Sequence, residues 1–162
     1  MINQIKENIW QLNFREFGSC VYLLKLPEPL LIDTSSSENQ EELIEDLKSL
    51  NILPEDVNSI VLTHNHWDHT GNLSLFPSAK LYSLHNLKEL KKDFRDFQII
   101  ETPGHTHEDI CILYENVLFS GDVIFDKDHN YVGRTDFPES SPKKMEESLK
   151  KLKKIKYNIL CP

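Results

Sequence analysis

Apolar residues along this chain fall into short runs separated by polar breaks, a pattern that predicts many brief strands and few helices. Ile9–Leu12 and Cys20–Leu26 read as the first strands, with a turn near Gly18 between them. Leu30-Leu31-Ile32-Asp33 reads as another, set off by Pro27 and Pro29. Ser37 followed by Gln40 is a capping-box signature for a helix to about Leu50. Leu43, Ile44, Leu47 and Leu50 give that helix its core-facing stripe. Ser59–Leu62 is a short buried strand. Lys80–Tyr82 reads as a strand and Leu84–Lys92 as a helix. Phe97–Ile100, Ile110–Tyr114 and Val117–Ser120 are strands, the last two joined by a Glu115-Asn116 turn. Ser141 with Pro142 opens a helix to about Ile155, lined by Met145, Leu149 and Leu152. Tyr157–Cys161 closes the series.

Strands and helices in this mixed order imply sheets covered by helices, in α+β or layered α/β style. A length of 162 residues suits one domain with a sizeable core. The net charge of -8 disfavours nucleic-acid phosphates and anionic membranes as partners. Met1-Ile-Asn-Gln-Ile-Lys lacks a signal-peptide pattern, and no apolar run reaches the length of a membrane span. Cys20, Cys111 and Cys161 are widely spaced in apolar contexts and read as reduced core residues. A cytoplasmic protein is expected.

One stretch does not read as packing. Directly after Ile60-Val61-Leu62 comes Thr63-His64-Asn65-His66-Trp67-Asp68-His69-Thr70-Gly71-Asn72. A single H-x-H is a weak hint of metal, whereas H-x-H-x-D-H at a strand end is a strong one. In extended backbone His64 and His66 share a face and can converge on one ion. Asp68 and His69 diverge from them once the chain turns helical, which suits a second ion. The expectation is a binuclear site with a shared water. His105, after Pro103-Gly104, and Asp122, after Ser120-Gly121, stand at further strand ends. His64, His66 and His105 would complete one site. Asp68 and His69 would begin the other, with Asp122 bridging. His107 could ligate, although exposure is the simpler state. His85 and His129 read as surface residues. Asp33, Arg134 and Asp136 read equally as groups that orient ligands or as loop anchors. Trp67 reads equally as a wall of the site or as core.

The run of His64, His66, Asp68, His69, His105 and Asp122 resembles the metallo-β-lactamase superfamily. Gly133-Arg134-Thr135-Asp136-Phe137-Pro138 resembles its small hydroxyacylglutathione hydrolase (glyoxalase II) branch and the related persulfide dioxygenases. Leu31-Ile32-Asp33-Thr34 is similar to the family's Asp-Thr-Gly turn, with Ser35 in place of the glycine. The resemblance spans essentially the whole chain. It implies a single domain over residues 1–162 with a layered αββα fold and two Zn²⁺ ions, Fe or Mn being alternatives. It also implies a Pro-Gly-His segment after the last strand. This sequence ends at Cys161-Pro162, so the expectation is a fold truncated at its C-terminus and a second site short of one ligand. The helical domain with which full-length glyoxalase II proteins hold glutathione is likewise expected to be absent.

The function expected is hydrolysis of a small ester or thioester by metal-activated water, with catalytic Asp68 orienting that water and returning its proton. One alternative is a mononuclear Fe(II) persulfide dioxygenase using His64, His105 and Asp122. Another is a non-catalytic metal-binding protein with an incomplete second site. The partner expected is a small-molecule substrate. An apolar surface left uncovered beyond Pro162 would favour a homodimer.

Overall fold

The computed structural model describes residues 1–162 and divides them into two compact units, Met1–Tyr82 and Ser83–Pro162. The first unit is a six-stranded sheet in the order β1 (Ile2–Lys6), β2 (Ile9–Leu12), β3 (Val21–Leu24), β4 (Leu30–Ile32), β5 (Ser59–Val61) and β6 (Lys80–Tyr82). β1 to β4 pair antiparallel and β4 to β6 pair parallel. A parallel neighbour requires a crossover, and α1 (Gln40–Ser49) supplies it between β4 and β5. Leu43 and Leu47 of α1 are fully buried with Leu12, Leu23, Leu31 and Ile60. Each such side chain contributes about 1.5–3 kcal/mol by leaving water.

The second unit is a four-stranded sheet in the order β10 (Ile159–Cys161), β9 (Val117–Phe119), β8 (Ile110–Tyr114) and β7 (Gln98–Glu101). β7, β8 and β9 are antiparallel neighbours, and β10 runs parallel to β9. Glu115 and Asn116 both take positive φ, 48° and 65°, which gives the β8–β9 hairpin a turn twisted with its strands. α4 (Pro142–Leu152) starts at Ser141, whose hydroxyl accepts the Lys144 N–H at 3.3 Å. Met145 and Leu152 of α4 pack with Ile100, Cys111 and Leu118. A short helix α3 (Leu87–Asp93) follows a 3-10 turn at Leu84–Asn86.

Most expected elements form within a residue or two of their predicted ends, but α3 begins at Leu87 rather than Leu84, α4 ends at Leu152 rather than Ile155, and two further corrections stand. β1 was not expected, because Asn3 and Gln4 dilute its pattern; it forms by pairing with the open edge of β2. The Ser37/Gln40 capping box does not form either. Ser37–Asn39 is a 3-10 turn entered from Ser36, and α1 begins only at Gln40. Cys111 and Cys161 are buried, Cys20 is half-buried, and all three are free thiols. No helix is long and apolar enough to cross a membrane.

Candidate metal centre

In the first unit the parallel pairing of β4 and β5 decides the geometry. Ile32 and Val61 are register partners, so the residues that follow both strands emerge at the same sheet edge. Asp33 follows one and Thr63-His64 the other. Asp33 takes φ 59°, which bends the chain back over that edge while its N–H stays bonded to Val61 O at 3.0 Å. Its carboxylate is buried and accepts the Thr63 N–H at 2.8 Å, the Thr63 hydroxyl at 2.7 Å and His69 Nδ1 at 2.8 Å. Asp68 and His69 lie on the short helix α2 (Trp67–Thr70), and the expected divergence does not extend to the His69 ring, which stays beside His64 because Asp33 holds its Nδ1.

The same contacts set the ring tautomers. The Thr63 hydroxyl proton is committed to Asp33, so Thr63 Oγ1 accepts from His64 Nδ1 at 3.1 Å. His64 and His69 therefore each carry a proton on Nδ1, the nitrogen that a histidine ligating through Nε2 keeps protonated. The ring of His64 lies 4.6 Å from that of His66 and 4.1 Å from that of His69. Ligand atoms of His64 and His66 are within 4.8 Å of each other. Trp67, which read equally as site wall or core, is 58% exposed, and its ring centroid lies 5.7 Å from that of exposed Phe17.

In the second unit β7 and β9 both run antiparallel to β8, so they end at the same edge. The loop after β7 carries His105 and the turn after β9 carries Asp122, with His105 Nε2 3.3 Å from Asp122 Oδ2. His105 Nδ1 donates to the Arg134 carbonyl at 2.8 Å, which leaves Nε2 facing Asp122. The ring is also edge-on to Phe137, with centroids 5.6 Å apart. Gly133 allows this placement: a Cβ there would stand 1.7 Å from the Asp122 carbonyl oxygen. Gly104 plays a similar part against α4, where a Cβ would meet Met145 Cα at 2.6 Å.

The loop that holds His105 is braced by Asp109. This buried carboxylate accepts the Thr106 N–H and hydroxyl, each at 2.7 Å, and burial holds it above the usual carboxylate range.

The chain thus carries a His/Asp set of metal-ligand type: His64 and His66 in the first unit, His105 and Asp122 in the second. The donor chemistry, three imidazoles and a carboxylate, fits a divalent ion, and His64 and His105 have Nδ1 held by neighbouring oxygens. Among the residues that read equally as ligand-orienting groups or loop anchors, Asp33 bonds the His69 ring directly and Arg134 bonds the His105 ring through its backbone carbonyl. Asp136 does not. It forms a bidentate pair with the Arg134 guanidinium in solvent, at 2.7 and 2.9 Å. Thr63 was missed; its place before the first histidine was the only signal, and a threonine there reads as strand. The Arg134 carbonyl had no sequence signal at all.

The profile of the metallo-beta-lactamase superfamily matches residues 17–97 and 82–162. A probable metallo-hydrolase of Methanocaldococcus jannaschii is 30% identical over 139 residues, covering 81% of this chain and 68% of that protein. A hydroxyacylglutathione hydrolase of Hydrogenovibrio crunogenus is 34% identical over 115 residues, covering 61% of this chain and 41% of that protein. The fold is similar to a crystal structure of a di-iron-bound protein, with TM-score 0.70, 22% identity and coverage of 90% and 86%. It is also similar to BJP-1, a subclass B3 metallo-beta-lactamase of Bradyrhizobium japonicum, with TM-score 0.73, 16% identity and coverage of 98% and 75%. The expected α+β fold is therefore the one observed, and the chain belongs to the metallo-beta-lactamase superfamily.

Proposed function

We propose that this chain is a metal-dependent hydrolase of small esters or thioesters, of the glyoxalase II kind. The observation that carries the reading is the matched orientation of His64, His69 and His105, each with Nδ1 held by a neighbouring oxygen. His64, His66 and His105 would hold one ion, Asp68 and His69 the other, and Asp122 would be shared. Imidazole and carboxylate donors of this mix suit Zn²⁺. When bound, such ions supply a water of lowered pKa and an electrophile for the carbonyl oxygen.

The chain's own residues do the rest. Asp33 and Thr63 hold the imidazoles in their ligating tautomer. A carboxylate oxygen of Asp68 orients the attacking water, takes its proton and returns it to the leaving sulfur or oxygen. Exposed Trp67 and Phe17 offer apolar surface beside the motif for the acyl part of the substrate. The glyoxalase II-type relative motivates the thioester assignment.

The test is turnover of a panel of glutathione thioesters and simple acyl esters by the metal-loaded protein. Asp68→Asn should lower kcat by about 10²–10⁴-fold and weaken the second ion, which elemental analysis reads separately. Near-normal rates in that variant would remove Asp68 from the chemistry. Oxygen consumption with glutathione persulfide, without ester hydrolysis, would replace the hydrolase reading with an iron dioxygenase.

A further inference from the structure

Three successive carbonyls of the first unit, those of Thr34, Ser35 and Ser36, are gripped by two successive residues at the end of the histidine motif. Asn72 Nδ2 donates to the Thr34 and Ser36 oxygens, each at 2.7 Å, and the Gly71 N–H donates to the Ser35 oxygen at 2.8 Å. Gly71 permits the approach, since a Cβ there would stand 2.4 Å from Ser37 N. Asn72 is buried, and its Oδ1 has no hydrogen-bond partner. A buried acceptor left unmade costs free energy, so what this side chain contributes is its two N–H donors. Turning the amide over would set Oδ1 against two carbonyl oxygens instead.

The segment held in this way is strained. Ser35 takes φ 59°, in the left-handed region that a residue with a Cβ occupies at a cost and glycine does not. Asn72 bonds the carbonyls immediately before and after it. The same segment holds His69 at two points. Asp33 bonds the ring at Nδ1, and Thr34 donates its N–H and its hydroxyl to the His69 carbonyl at 2.7 and 3.0 Å. α2 is a single turn, so its own helix gives that carbonyl no partner. Ring and backbone of His69 therefore both depend on Asp33–Ser36 keeping its shape.

We propose that Asn72 is a positioning residue for the metal centre. By holding the left-handed Ser35 it keeps Asp33 and Thr34 where they place His69 for its ion. The metal readout rests on the proposed assignment of His69 to the second ion. The Asp33–His69 bond is read without metal, which separates a failure of this proposal from a failure of that assignment.

The test compares wild type, Asn72→Ala and Asn72→Ala/Ser35→Gly in the full chain, metal-loaded and metal-stripped. The second substitution removes the strain that Asn72 opposes, so it should rescue the first. Histidine side-chain NMR reads the His69 Nδ1–H, which Asp33 protects from exchange in wild type. Asn72→Ala should speed that exchange at least about tenfold and weaken the second Zn²⁺ about 10–100-fold. Both values should return most of the way in the double variant. Should Asn72→Ala fail to fold by circular dichroism, recovery of the fold in the double variant supports the proposal. A wild-type exchange rate or a wild-type second-ion affinity in Asn72→Ala would overturn it. So would any defect that Ser35→Gly leaves in place. A single Zn²⁺ per wild-type chain, with exchange as expected, would remove the two-ion assignment and leave the positioning role standing.

Discussion

Asp33 Oδ2 lies 2.8 Å from His69 Nδ1 although the two residues are 36 positions apart in the chain. The same carboxylate holds the Thr63 hydroxyl, which in turn receives His64 Nδ1. One buried acid thus sets the tautomer of two histidines, one directly and one through a threonine.

Replacing Asp33 by Asn keeps the size of the side chain and removes the charge. An amide N–H turned toward His69 favours the wrong tautomer. Zn²⁺ affinity should fall about 10–100-fold, the usual scale for groups that orient metal ligands. Competition with a chromophoric chelator measures this directly. Wild-type affinity in Asp33→Asn would show that the carboxylate serves the fold alone.

Gly133 leaves no room for a side chain beside the Asp122 carbonyl. Gly133→Ala must push apart the two segments that place Asp122 and the Arg134 carbonyl. A cost of about 1–3 kcal/mol is expected from such overpacking, together with weaker metal binding as His105 loses its brace. Thermal unfolding and metal content of the variant test both parts. An unchanged Tm would mean that the loop relaxes freely.

Burial pushes the Cys111 thiol up to about 12, a Thr102 hydrogen bond opposing and the Asp109 charge adding to the rise. Cys20 is raised as well, chiefly by burial. Thiolate is the reactive form, so at pH 8 native protein should alkylate slowly at both positions. In denaturant all three cysteines should react. Mass spectrometry after timed alkylation counts them, and rapid native labelling of Cys111 would contradict its burial.

Because burial raises the Asp109 carboxyl, the native state holds that proton more tightly than the unfolded chain. Its contribution to stability is therefore largest below the ordinary value of 3.8 and is lost as pH climbs through the raised native value. Asp109→Asn cannot ionise and should show a shallower loss of stability from pH 4 upward. Urea midpoints across that range, compared with wild type, give the answer. Parallel profiles would exclude Asp109 as the source.

Local pattern alone made much of this protein legible. The candidate ligands His64, His66, Asp68 and His69 crowd into one motif after an apolar strand, and a metal site is the simplest chemistry that needs them together. β5, α1 and α4 follow from apolar runs and periodicity, because each buries a face that its own residues define. Tertiary structure decided what depends on residues distant in the chain. β1 exists because β2 has an edge to pair with, not because Asn3 or Gln4 favours a strand. Asp33 reaches His69 because β4 and β5 are parallel and end together. His105 is braced by a backbone carbonyl that any residue at position 134 could supply. Hydrogen bonds and shared ligands are set by where atoms meet in space, which no one-dimensional spacing encodes.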